Sequence, residues 1–413
     1  MTTSILCFEV VAKTWAWRGA VAESDPGAGT IGRIAPLFVA HVVGAANVTL
    51  VVALSPSIEE SLGLGHAGFG LMISAYYGAM LMLALPAGWL VDRFGLRTML
   101  VISHVLLASG LLVLASARGL PTGALGLFIC GGGYALINPA TARAVLMWFP
   151  RSTRATAMGV KQTGVPVGGV IAALIAATGQ ADWRALTTGM AVVTIIAGAG
   201  YLALRVAPQP ASLAVRFSDM RALLRLPRLA LFNVAACLYA AGQAAFFAYL
   251  VLFARDVMAA PLALASLCLA IAHAASATGR ICWGVISDRL VRNGRIVCLI
   301  AIGLLATIGV LLFLGLPAFG TTALVVTAAL VGFTLGGYAG LIQAAVVESV
   351  EPQQVGAAMG YSMLLLSFGT MLGPAAFGIG VEWIGYAAAW TAMAALLILG
   401  AALFMASTRV VAQ

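Results

Sequence analysis

Residues 299–316 read LIAIGLLATIGVLLFLGL, a run without one charged side chain. A membrane-barrel strand would alternate apolar and polar positions over roughly ten residues. A helix on a soluble core would keep one polar face. This run does neither. At about 1.5 Å per residue it is long enough to cross nearly all of a hydrocarbon layer of about 30 Å. Lipid offers the backbone no hydrogen bonds, so a helix is the form in which such a segment can cross. Residues 389–404 have the same character. Of the 413 residues, 62% are hydrophobic and 8% charged. A soluble domain carries roughly 25% charged residues, so little of this chain can face water.

Working outward, the same reading gives six spans at 34–56, 67–90, 98–117, 122–148, 155–178 and 185–206. Six more follow at 229–252, 262–286, 296–316, 322–348, 355–379 and 386–406. Residues 1–33 lack the apolar core and cleavage site of a signal peptide and read as a cytoplasmic N-terminal extension. Residues 207–228, with Pro208, Pro210 and Pro227, read as a basic cytoplasmic linker between bundles 34–206 and 229–406. Residues 407–413 form a cytoplasmic tail.

The net charge of +9 does not mark a nucleic-acid surface, because the arginines are spread between spans. Even-numbered turns hold Arg93 and Arg97, Arg151 and Arg154, Arg216 to Arg228, and Arg289 to Arg295. Odd-numbered turns hold Arg118, Arg184 and Arg255. By the positive-inside rule the even turns are cytoplasmic, which puts both termini there and makes the cell's inner membrane the expected location. Cys130, Cys237, Cys268, Cys282 and Cys298 lie in or beside spans with no metal-ligand spacing, and they read as small packing residues. No metal or cofactor is expected.

The halves repeat each other. Gly-Gly-Tyr-Ala occurs at 132–135 and 336–339, Ala-Met-Gly at 157–159 and 358–360, and Gly88 with Asp92-Arg93 recurs as Gly284 with Asp288-Arg289. All three are displaced by about 200 residues in the same order, which points to a duplicated six-helix unit of the kind found in one large transporter class.

The turn Gly88-Trp-Leu-Val-Asp92-Arg93-Phe-Gly95-Leu-Arg97 resembles the signature loop of the major facilitator superfamily, and 284–289 is its weaker copy. The resemblance covers roughly residues 34–406. It implies an all-α membrane protein of twelve transmembrane helices in two pseudo-symmetric six-helix bundles. It also implies that Asp92, Arg93, Arg97, Asp288 and Arg289 are gating residues, forming a charge-relay latch between halves. The segment 148–159 and the Gly-rich span after it resemble bacterial carriers of small organic anions, a group that includes monocarboxylate, oxalate/formate and cyanate-type permeases.

Ionisable groups inside spans are expensive and therefore candidate function. Arg143, Lys161 and Arg280 lie about 8 to 13 Å inside the cytoplasmic mouth. Glu348 is the one carboxylate placed to answer them, so the cavity reads as positive and the cargo as an anion. Arg280 stands in Gly279-Arg280-Ile-Cys-Trp-Gly284, which resembles the helix in which monocarboxylate carriers hold a substrate-binding Arg. Those carriers often have an Asp one turn earlier, where this chain has Ser276. His273, two turns before Arg280, reads either as a proton-coupling group or as a packed histidine; Glu348 is the other proton-coupling candidate. Lys161 reads as a second cavity cation, binding the carboxylate together with Arg280. Arg143 reads equally as an ion-pair residue, with Glu348 or headgroups, and as a solute contact. Tyr134 and Tyr338, symmetry mates, read as phenol donors to a carboxylate or as packing. Asn47, Asn138 and Gln243 are lesser lining candidates. Lys161 and Arg280 have Ser362 and Ala84 as counterparts, so the halves line one cavity unequally.

The expected activity is secondary active transport by alternating access, driven by proton symport or anion exchange. The expected partners are a small anionic solute, most simply a monocarboxylate, the lipid bilayer and a co-transported proton. No enzyme chemistry, phosphate-binding loop or nucleic-acid partner is read, and a monomer is expected. Two rivals stand beside this. Gly164-Val-Pro166-Val-Gly168-Gly169 resembles, with shifted spacing, the helix 5 motif of drug/proton antiporters. A non-transporting sensor would share the fold, but would need a signalling tail or loop.

Overall fold

The structure, a computed structural model, describes residues 30–84, 86–150, 152–178, 182–204, 226–289, 294–351 and 354–409. Residues 1–29, most of the linker and residues 410–413 lie outside the described residues. All described elements are helical: α1 (Thr30–Ala53), α2 (Ser55–Leu62), α3 (His66–Leu83), α4 (Pro86–Phe94), α5 (Leu96–Ala115), α6 (Leu120–Trp148), α7 (Arg154–Ala177) and α8 (Trp183–Gly200) form the first half. The second comprises α9 (Pro227–Asp256), α10 (Leu262–Arg289), α11 (Gly294–Leu312), α12 (Leu316–Leu335), α13 (Ala339–Glu348) and α14 (Val355–Arg409).

Among the described residues, eleven stretches are long and apolar enough to cross a membrane. The last of them bends at Gly385, where φ is 79°. Only glycine adopts that left-handed conformation without a steric penalty, so α14 is two spans joined by a tight corner, and twelve spans result. This is the all-α, twelve-span architecture expected. The boundaries differ where proline and glycine intervene. The span expected at 67–90 ends at Leu83 and resumes as α4 from Pro86, whose missing N–H suits a helix start. The span expected at 34–56 begins at Thr30 and is followed by the separate helix α2.

The two Gly-Gly-Tyr copies fold differently. Residues 132–134 stay inside the continuous helix α6, whereas 336–338 form the break between α12 and α13.

The halves meet through α7 against α10 and α3 against α14. Small residues make those approaches close: a Cβ on Gly169 would fall 2.5 Å from the His273 ring. At the end opposite the Arg-rich turns the halves are joined by polar contacts. Tyr249 donates to the His66 carbonyl at 2.6 Å, and the Ala67 N–H, at the start of α3, donates to Glu382 at 3.1 Å. The four free amides of a helix N-terminus make that a natural seat for a carboxylate. Midway, the Ala375 N–H donates to Ser74 at 3.1 Å.

At the Arg-rich end, Arg143 and Arg295 form ion pairs, among the described residues, with carboxylates of their own halves. Arg143 Nη1 lies 2.6 Å from Asp92 in the first, and Arg295 reaches both Asp288 and Glu348 in the second. Asn138, well inside α6, is exposed.

Candidate functional site

The break at 336–338 builds the centre of the site. Without a continuous helix after it, the Gly336 and Phe333 carbonyls are taken by side chains of α10. Ser276 Oγ donates to Gly336 O at 3.0 Å, Arg280 Nε donates to the same oxygen at 3.2 Å, and Trp283 Nε1 donates to Phe333 O at 3.1 Å. Ser276, Arg280 and Trp283 lie one helical turn apart, on one face of α10. The guanidinium is thus held by its Nε edge, leaving its terminal nitrogens as the donors for a solute.

Arg280 lines a cavity of about 200 Å³ between the halves. The first half supplies Tyr76, Tyr77 and Tyr134, and the second supplies Gln243, Phe247, His273, Ser276 and Thr370. Apolar walls come from Val48, Ile73, Val165 and Pro166. Among the described residues, no carboxylate pairs with Arg280. A small chamber with one oriented guanidinium, phenols, an amide and hydroxyls is equipped to bind a carboxylate with neighbouring hydroxyl groups.

The other candidates are distributed as follows. Tyr134 lines the cavity, its ring 6.0 Å from that of Tyr76. Its mate Tyr338 is buried and donates to Gln243 Oε1 at 3.2 Å, so it orients a lining residue. His273 lines the cavity and stacks on Phe247 with centroids 4.5 Å apart. Lys161 is fully buried and bonded to Asn138 and Thr141, one helical turn from lining residue Val165. Asn47 is buried against α8, where it accepts a hydrogen bond from Thr194 at 3.1 Å. Glu348 is exposed at the end of α13 and accepts from Arg295, outside the cavity lining. Arg143 pairs with Asp92 instead of Glu348. Arg93, Arg97 and Arg289 are exposed at the helix ends.

Sequence reasoning passed over the Tyr76-Tyr77 pair, Phe247, Thr370 and His41. A buried histidine in the first span was visible by the same rule that singled out Lys161. Aromatic and hydroxyl lining gave no comparable signal, since such residues are ordinary inside membrane bundles.

Comparison with known proteins decides the family. The family model described as Major Facilitator Superfamily matches residues 37–320. The chain belongs to the major facilitator superfamily. It is a multi-pass membrane transporter, not an enzyme. An uncharacterized transporter of this superfamily from Mycobacterium tuberculosis (strain CDC 1551 / Oshkosh) is 26% identical over 350 residues, 82% of this chain and 77% of that protein. The D-galactonate transporter of Escherichia coli O6:H1 is 29% identical over 136 residues, 32% of this chain and 31% of its own length. A probable galactarate/D-glucarate transporter of Bacillus subtilis is 30% identical over 128 residues, covering 29% of this chain and 28% of its own. In architecture the chain superposes on the nucleoside transporter NupG with a TM-score of 0.74 at 18% identity, over 91% of this chain and 99% of that one. A bacterial homolog of the lysosomal transporter Spinster, in an inward-facing unoccupied conformation, gives 0.76 at 16% identity, over 94% and 98%. Both likenesses establish the major facilitator fold.

Proposed function

We propose that this chain is a secondary carrier of small hydroxylated organic anions, binding one carboxylate of its cargo at Arg280. The observation that carries this is the guanidinium held on Gly336 O and lining the cavity, with no carboxylate partner among the described residues. A fixed positive charge in a low-dielectric chamber favours an anion and repels cationic drugs. Tyr134, Gln243, Ser276 and Thr370 offer the donors and acceptors that hydroxyl groups require. That relatives in short stretches are named for galactonate and glucarate transport agrees with this cargo class. A monocarboxylate fits most simply, since one Arg answers one charge.

Transport proceeds by alternating access, with the two halves rocking about the cavity and either proton symport or anion exchange supplying the energy. With the Arg-rich turns in the cytoplasm, the protein sits in the inner membrane with both termini inside. The halves are then closed toward the outside. Asp92 and Arg143 pair within their own half in this state, and the signature-loop latch forms in the opposite one.

A counterflow competition screen in proteoliposomes tests the cargo. Radiolabelled D-galactonate, D-glucarate, D-glucuronate and lactate are each set against cationic dyes. One or more organic acids should exchange, and Arg280→Ala should abolish that exchange. Dyes outcompeting every acid would sink the anion reading in favour of a drug antiporter.

A further inference from the structure

Lys161 is 0% exposed. Its Nζ donates to Asn138 Oδ1 at 2.9 Å and to Thr141 Oγ1 at 3.0 Å, both on α6. Gln162 Nε2 shares the Asn138 oxygen at 3.0 Å. No carboxylate pairs with the lysine among the described residues. A hydroxyl has one proton and two lone pairs. Thr141 directs its proton to Ile137 O at 2.7 Å, so its lone pairs receive Lys161 and His41 Nε2, the latter at 3.0 Å from α1. His41 therefore carries its proton on Nε2. Its Nδ1 is buried without a partner.

Among the described residues, the groups bonded around the lysine are neutral or basic. From α1 the lysine faces His41, from α6 two neutral oxygens, and α10, packed on α7, brings His273 and Arg280. Arg143, farther along α6, is engaged with Asp92. Val165, one turn along α7 from Lys161, lines the same cavity as Arg280, so the amine lies just behind the wall of the anion chamber. Burying an ammonium among neutral groups is costly, whereas a neutral amine is accommodated. In the second half, the counterpart Ser362 donates to Asn233 of α9 at 2.6 Å, a neutral pair with no ionisable group in it.

We propose that Lys161 is the proton-carrying group of this transporter, protonated when an anion enters beside Arg280 and a neutral amine when the cavity is empty. This rests on the anion reading of the cavity. A proton from water at the open side bonds to the amine lone pair as the anion binds. After the halves rock, the anion leaves and that N–H bond breaks, returning the proton to water on the far side. Arg280 keeps its charge throughout. With a monocarboxylate the step moves no net charge, and His41 with Thr141 positions the amine.

The test uses the full chain in proteoliposomes with radiolabelled D-galactonate, D-glucarate and D-glucuronate, comparing gradient-free counterflow with accumulation driven by a proton gradient. Lys161→Arg keeps the charge but does not release its proton at cellular pH. It should retain counterflow within about threefold of wild type while gradient-driven accumulation falls about tenfold or more. Lys161→Met should lose the same accumulation. Either variant accumulating solute as wild type does overturns the proposal. So does loss of counterflow in both variants while they elute as wild type, which would make Lys161 a solute ligand. Should the lysine variants not fold, Thr141→Val keeps the amine and deletes one acceptor of the ammonium. It should move the pH midpoint of uptake downward by about one unit, and an unchanged midpoint counts against the proposal. A wild type that moves none of the three anions removes the anion reading itself, and this inference with it.

Discussion

His66 Nε2 in the first half lies 3.5 Å from Asp256 of the second, while its Nδ1 lies 3.3 Å from Glu59 of its own half. Tyr386 donates to the same Asp256 carboxylate at 2.7 Å. The closed end is therefore held by one imidazole between two carboxylates, tied to the opposite half by ring contacts with Tyr249 and Tyr386. A protonated His66 would bridge both acids, and a neutral one could donate to only one of them.

The same cluster predicts a pH effect. Burial pushes the Glu59 carboxyl above the ordinary value of 4.5, the hydrogen bond from His66 opposes this, and the Asp256 and Glu382 charges add to the rise. Opening this end returns Glu59 to water and to its ordinary value. Between those two values the closed form binds more protons, so the contribution of Glu59 to closure is fully present below 4.5 and is lost as pH rises through the raised value. Spin-label distances across this end, measured without solute from about pH 4 to pH 8, should lengthen with pH. Glu59→Gln should flatten much of that dependence, and a dependence unchanged in the variant would refute the assignment.

Arg280→Lys should be nearly as damaging as Arg280→Ala. Lysine keeps the charge but loses the Nε contact with Gly336 O and the paired donors that meet a carboxylate. Losing one charge-assisted hydrogen bond costs about 1.5 to 3 kcal/mol, or about tenfold to a hundredfold in affinity. Solute binding to purified protein, read by calorimetry, would show the loss; a lysine variant within twofold of wild type would mean that charge alone matters.

The helix count was legible because each span is predominantly apolar, and the two-half symmetry because three motifs repeat, in order, about 200 residues apart. The break at 336–338 was not legible. Its Gly-Gly-Tyr reads the same as residues 132–134, which remain helical, and the difference lies in Ser276, Arg280 and Trp283 of a neighbouring helix. Tertiary partners decided a local conformation that local sequence left undecided. The same holds for Lys161 and Glu348. Both were recognisable as ions in or near spans, but only packing shows that one is enclosed by Asn138 and Thr141 and the other is exposed beside Arg295.

Gly279→Ala should destabilise the site from its packing side. A Cβ there would fall well inside contact distance of the Phe333 carbonyl, and a backbone atom cannot rotate aside. Overpacking of this kind costs about 1 to 3 kcal/mol, and it would push α10 away from the turn that holds Arg280. A lowered melting temperature in detergent together with weakened solute binding is expected. Gly284, where a Cβ meets nothing, is the control, and Gly284→Ala should leave both unchanged.

The two symmetry-related tyrosines should respond differently to loss of their hydroxyls. Tyr134 lines the cavity directly, so Tyr134→Phe removes a donor that a bound carboxylate or hydroxyl would meet. Tyr338 donates to Gln243, so Tyr338→Phe leaves a lining amide free to turn. A neutral hydrogen bond contributes about 0.5 to 1.5 kcal/mol, which makes the first change worth about threefold to tenfold in affinity for every accepted solute. The second should alter discrimination between solutes more than affinity for the best one, because it releases an orienting contact without removing a binding group. Counterflow competition with D-galactonate, D-glucarate and D-glucuronate separates the cases: parallel losses across all three for both variants would mean that both phenols touch solute.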